Sequence, residues 1–300
     1  MRRLLIALAL LAVVACQQKD GGQNLADTNA VYYWRTDLRL DSTERAFLKH
    51  HHINKVYCRY FDVVMTPDGP MPNATITFSD TLPAGIELVP TVFITEDCMH
   101  QRHDSLARRL AERIRQMNET NGLAPAREVQ IDCDYTARSR QPFYHFLSEL
   151  RGLLSAAGSQ LSATIRLHQL AMPAPPVDYG VLMLYNTGDP RRFADRHAAD
   201  GRLLEEGRNP VLDRRDVAPY LRYLDGYSLP LGAAYPVYQW VRHIHGVRVE
   251  HTVDADEILS VKRAVEHERQ QLRQLVVTYH LDKENINRYE TQTYEAIYRH

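Results

Sequence analysis

The chain has 300 residues, and 36 Lys and Arg against 37 Asp and Glu leave a formal charge of −1. Without a basic tail or patch, nucleic acid is not an expected partner. The sequence also lacks a Gly-rich phosphate loop, a Gly-x-Ser-x-Gly elbow and a His-Glu-x-x-His helix, which excludes the commonest nucleotide, serine-hydrolase and zinc-protease signatures.

The first element is a signal. Arg2 and Arg3 supply a positive start, residues 4–14 are an apolar run too short to span a bilayer, and Val13-Val14-Ala15-Cys16 resembles a bacterial lipobox. The expectation is cleavage before Cys16, with Cys16 as the lipid attachment point. An ordinary secretory signal cleaved near Ala15 is the alternative. Loss of Arg2 and Arg3 takes the formal charge from −1 to −3. Residues 17–30 are polar and Gly-rich at their start, as suits a flexible tether. Gln17 stands where an inner-membrane retention signal carries aspartate, so the expected location is the cell envelope, anchored at the outer membrane. Cys58, Cys98 and Cys133 remain, and three thiols cannot all pair within one chain. Cys58 and Cys133 lie in apolar runs and read as core residues.

From residue 31 onward, strand-like and helix-like segments alternate to the end of the chain, the size and rhythm of one irregular (β/α)8 barrel over 31–300. The strands are expected at 31–36, 54–63, 86–95, 128–134, 161–168, 180–185, 229–235 and 275–280. Asp41 and Glu44 mark a helix start with an acid at the third helical position. Leu106, Leu110, Ile114 and Met117 stripe a second helix, and Phe143, Phe146, Leu147 and Leu150 a third. Further helices fit 191–204, 256–272 and 291–298. Prolines at 67, 70, 72 and 83 predict an irregular excursion with a short strand over 64–85, and Pro173, Pro175 and Pro176 leave room for little helix after strand five.

Alternate residues of a strand face opposite sides. In strand four, Val129, Ile131 and Cys133 fall on one face and Gln130, Asp132 and Asp134 on the other, and strand five sets Thr164, Arg166 and His168 opposite Ala163, Ile165 and Leu167. Barrel cores are ordinarily Val, Ile and Leu, so inward acids and an arginine point to a site or to a buried network that holds the barrel together. His50-His51-His52 reads as a solvated helix end. His243-x-His245 with Glu250 and His251 is a poor metal motif, and no metal or cofactor is expected.

The run Val129-Gln130-Ile131-Asp132-Cys133-Asp134 resembles the fourth-strand signature of family-18 glycoside hydrolases, the chitinase group. Met183-Leu184-Tyr185-Asn186 resembles their sixth-strand motif, and Leu231 to Pro236 their seventh. The resemblance implies a glycan-active barrel, with Trp240 as a sugar-stacking ring. It also aligns the family's proton-donating glutamate with Thr136, and Asn186 with an aspartate. A group of Bacteroidetes lipoproteins is similar over most of the mature chain, in Tyr33-Trp34-Arg35-Thr36, in 56–63, in 89–94 and in Tyr279-His280-Leu281-Asp282.

The working face of such a barrel is formed by the carboxyl ends of its strands. Candidate catalytic groups there are Asp134, Asp132, Asp62 and Glu96. Candidate ligand-binding groups are Arg35, His168, Tyr185, Asn186, Tyr235, Trp240 and His280. Two function classes follow: a glycoside hydrolase using two mouth carboxyls, or a lipoprotein that binds a glycan or an envelope protein without catalysis.

Overall fold

Eight parallel strands close on themselves in the computed structural model, which describes residues 25–188, 208–244 and 247–300. They are β1 Thr28–Tyr33, β2 Ile53–Thr66, β3 Glu87–Ile94, β4 Glu128–Asp132, β5 Gln160–Ile165, β6 Tyr179–Met183, β7 Leu231–Pro236 and β8 Leu275–Tyr279. Each pairs with the next, and β1 pairs with both β2 and β8, which closes the ring. The fold is the expected (β/α)8 barrel. Most strand ends shift by one to three residues from expectation, and β4 stops at Asp132, which leaves Asp134 just beyond it. β1 begins at Thr28, inside the segment assigned to the tether, and β5 stops at Ile165 because a 3-10 turn, Leu167–Ala171, begins there. Cys16, the signal, the helix expected over 191–204 and the side chains of Trp240, His243 and His245 lie outside the described residues.

The wall forms for local reasons. Helix α1, Ser42–His50, opens on a reciprocal cap: Asp41 accepts from the Glu44 amide at 2.8 Å and Glu44 accepts from the Asp41 amide at 2.9 Å. Helix α2, Leu106–Thr120, buries Leu106, Leu110 and Ile114, and α3, Arg140–Ala156, buries Phe143, Phe146, Leu147 and Leu150, the stripes that periodicity predicts. Helices α4, Ala255–Glu268, and α5, Thr291–Ile297, pack against each other, with Lys262 of α4 beside Tyr235 of β7 and Tyr298, just past α5, bonded to Thr278 of β8 and the Ala30 carbonyl of β1. The proline-rich excursion forms as a hairpin, in which β2 runs on to Thr66 and returns antiparallel through Gly69–Asn73. His51 departs from the solvated helix end expected of it. It is 7% exposed, packed on Phe47, Tyr294 and Tyr298, and burial lowers its pKa to about 4.

Inside the barrel, the layers are polar and aromatic rather than aliphatic. At the amino-terminal end Lys55 bridges Glu128 at 2.6 Å, Ser162 donates to the same carboxylate at 2.5 Å, and the Tyr57 and Tyr179 hydroxyls meet at 3.0 Å. One layer up, the Tyr32 hydroxyl crosses the barrel to Gln130 at 2.9 Å. Buried polar groups of this kind persist because each has a partner. Val129, Ile131 and Cys133 face outward, and Cys58, Cys98 and Cys133 are free, buried thiols.

Candidate functional site

The next layer is the mouth. Asp132, the last residue of β4, is 3% exposed and accepts from the Thr164 hydroxyl of β5 at 2.6 Å. Arg166, just past the end of β5, approaches the same oxygen with Nη2 at 3.4 Å and holds Asp134 with Nε. Asp134 is the more open of the two acids, its side chain 37% exposed. Burial pushes the Asp132 carboxyl above its ordinary pKa. Arg166 pulls it down, and Asp134 pushes it further up. Burial works against the charge of Arg166, and the two aspartates outweigh it.

Asp62 joins this layer through an irregularity. The register between β2 and β3 shifts between Arg59 and Phe61. Tyr60 donates to Asn118 of α2, and the Arg113 guanidinium of α2 lies 5.0 Å from the Phe61 ring, so two successive side chains face outward. Asp62 then returns to the side of Arg59, which donates to it from Nε at 2.8 Å. Its charge reaches Asp132.

Aromatic rings frame these charges. Tyr279 stacks on Tyr185 at 4.8 Å and meets Trp34 at 5.9 Å, while Tyr238 meets Tyr279 edge-on at 5.3 Å. The half-buried Trp34 ring also lies 5.9 Å from the Arg59 guanidinium. Tyr185 is 4% exposed, and its hydroxyl is buried without a hydrogen-bond partner among the described residues. Asn186, in a left-handed conformation with φ of 54°, accepts from the Tyr238 hydroxyl at 2.5 Å. Beside Trp34, a groove of about 850 Å³ runs over Arg35, Asp37 and Arg39.

The remaining expected site residues are arranged differently. Glu96 accepts from Ser139 at 2.9 Å, and Ser139 in turn accepts from the Thr136 amide at 2.9 Å, so this carboxylate braces the turn before α3. Arg35 pairs with Glu44 at 2.7 Å on the rim. His280 faces Asp282 at 3.2 Å, with its pKa lowered by burial against the pull of Asp282. His168 falls in the 3-10 turn and lies 3.4 Å from the Tyr135 carbonyl, off the strand alternation expected of it. Tyr235 is a correction. It lies inside β7, fully buried on the outer side of the wall, with its ring 5.8 Å from Lys262 Nζ of α4, because the strand's alternation puts it on that face. Arg59 and Tyr279 were not among the expected site residues. The bulge hid the first, and a place next to His280 was the only signal for the second. Among the described residues, no three His, Cys, Asp or Glu side chains cluster as metal ligands.

No known family profile matches the chain, and no curated protein is significantly similar to it. Solved structures are. A chitinase from Chromobacterium violaceum aligns with a TM-score of 0.56 at 14% identity over 91% of this chain and 98% of its own. The GH18 chitinase ChiB of Flavobacterium johnsoniae aligns at 0.53 with 10% identity, over 91% of this chain and 93% of its own. Catalytic domain 2 of an Ostrinia furnacalis Group II chitinase, solved as an E2180L mutant with a chito-oligosaccharide, aligns at 0.52 with 11% identity, over 90% and 95%. At such identities the likeness is one of fold: the chain is built as a chitinase-like TIM barrel.

Proposed function

We propose that this chain is an exported, lipid-anchored envelope protein that binds a glycan in its barrel mouth and does not hydrolyse it. The observation that carries this reading is an aromatic mouth in which the four candidate catalytic carboxylates are engaged. Asp132 and Asp134 share Arg166, Asp62 pairs with Arg59, and Glu96 holds Ser139. Glycosidic hydrolysis needs a carboxylic acid free to protonate the leaving oxygen. At the position two residues beyond Asp134 stands Thr136, whose hydroxyl accepts from the Arg138 amide at 3.2 Å. Tyr279, Trp34 and Tyr185 offer the flat faces on which sugar rings stack, and the similarly folded Ostrinia furnacalis domain was solved holding a chito-oligosaccharide.

The raised pKa of Asp132 favours a second reading, hydrolysis with Asp132 as the acid. Its near-complete burial and its bonds to Thr164 and Arg166 weigh against that role. Titration calorimetry with N-acetylchito-oligosaccharides, run beside a reducing-end assay on the same mixtures, separates the two. Binding without new reducing ends is expected. Turnover by the wild type that Asp134→Asn abolishes would overturn the non-catalytic reading.

A further inference from the structure

One arc of the mouth carries arginines that pair with no acid among the described residues. Arg102, Arg108, Arg109 and Arg138 are exposed and Arg140 is half-buried, and none makes an ion pair or a side-chain hydrogen bond among the described residues. Arg102 and Arg138 stand on two neighbouring connections, β3 to α2 and β4 to α3, and Arg108, Arg109 and Arg140 at the starts of the helices that follow them. The Ser139–Glu96 bond at 2.9 Å ties these together, and α2 packs against α3. The acids of the same arc are mostly spent. Glu96 accepts from Ser139, Asp97 accepts from the Thr95 hydroxyl at 2.5 Å and the Cys98 amide at 3.0 Å, and Asp134 lies on Arg166. Only Asp104 has no donor there among the described residues.

These arginines also run against helix electrostatics. The amino-terminal end of a helix favours acids and disfavours cations. Helix α1 has Glu44 in its first turn, and α4 has Asp256 and Glu257. Helices α2 and α3 have no acid in the first turn and no side-chain cap, and they begin instead with Arg108, Arg109 and Arg140. The two helix ends thus add positive potential to guanidinium groups that the fold does not use.

We propose that this arc receives an anionic substituent of the glycan, a carboxylate or a phosphate, so that the ligand is an acidic rather than a neutral sugar chain. The proposal rests on the reading of the mouth as a glycan site. Guanidinium forks match either anion with two parallel hydrogen bonds, and Arg138 follows Asp134 closely enough in sequence for one oligosaccharide to meet both the rings and the arc.

The test uses chito-oligosaccharides of one length in three forms: neutral, carboxymethylated and phosphorylated. At low salt, at least one anionic form should bind the wild type roughly tenfold more tightly than the neutral form, as charge-assisted hydrogen bonds would provide. The gain should disappear at about 0.5 M salt, where the screening length is only a few ångströms. It should also disappear in Arg138→Gln/Arg140→Gln or Arg108→Gln/Arg109→Gln, with circular dichroism confirming the fold. The carboxylate and phosphate arms tell which anion is preferred. Equal affinity for neutral and anionic forms, or a gain that both double variants keep, overturns the proposal while leaving the glycan reading standing. No binding of any form by the wild type sinks both.

Discussion

Nη2 of Arg166 lies 3.4 Å from Oδ1 of Asp132, the oxygen that also accepts from Thr164, and Nε of the same guanidinium holds Asp134. One cation thus serves two carboxylates from the neighbouring strand, at the open end of a barrel whose walls are otherwise closed.

Replacing that cation should therefore be costly. Arg166→Met is expected to lower stability by about 3 kcal/mol at neutral pH, because it leaves a buried carboxylate without its partner. The sign with pH follows from the direction of the Asp132 shift. An acid whose pKa is higher folded than unfolded destabilises the fold when ionised and is relieved when protonated. Removing Arg166 raises that folded value further, so the deficit should shrink as pH falls toward about 4. Denaturant titrations of both proteins at neutral and acid pH measure it, and a deficit that is flat with pH contradicts the argument.

Tyr185→Phe removes a buried hydroxyl that has no partner among the described residues. The variant should be as stable as the wild type or slightly more so, since an unsatisfied buried hydroxyl carries a desolvation cost. Glycan affinity should nevertheless fall by roughly tenfold, the worth of one hydrogen bond to a ligand in a buried site. A loss of stability without a loss of affinity would place the hydroxyl in the fold rather than the site.

His51 gives the barrel an acid-sensitive element. Its folded pKa is lowered to about 4 by burial, with the neighbouring His50 adding to the effect and Glu295 opposing it. A histidine whose folded value lies below its unfolded one stabilises the protein only while neutral. This contribution is present above about pH 6.5 and is lost as pH falls from there toward 4. His51→Phe, among Phe47, Tyr294 and Tyr298, should flatten the thermal midpoint over that window. An unchanged pH profile would assign the acid sensitivity elsewhere.

The anchor is tested apart from the barrel. Radiolabelled palmitate should enter the wild-type protein in cells and fail to enter Cys16→Ala. Label that persists in the variant would remove Cys16 as the attachment point.

Much of the barrel was legible because its signals are local. The Asp41–Glu44 cap, the Leu106-Leu110-Ile114 stripe and the alternation through Glu128–Asp132 all act within a few residues, and each formed as its spacing implies. The site was less legible, because several strands end earlier or later than their sequence pattern suggests. Asp132 is buried at the last position of β4, and Asp134 and Tyr185, expected inside their strands, lie two residues past the ends of theirs. His168 leaves the pattern because β5 turns early, and Tyr235 falls on the helix-facing side of β7's alternation, beside Lys262.

The sequence by itself determined the number and order of strands and the polar character of the barrel interior, since both follow from periodicity along one chain. Tertiary structure decided which acids share a cation. Arg166 and Asp134 are 32 residues apart and meet only because β4 and β5 are paired in register. It also decided that Asp62 belongs to the mouth. Strict alternation would turn Phe61 inward and Asp62 out, and the bulge after Arg59 reverses them by packing Tyr60 and Phe61 together against α2. A one-residue bulge leaves no mark in composition or spacing, because what stabilises it is the surface of another helix.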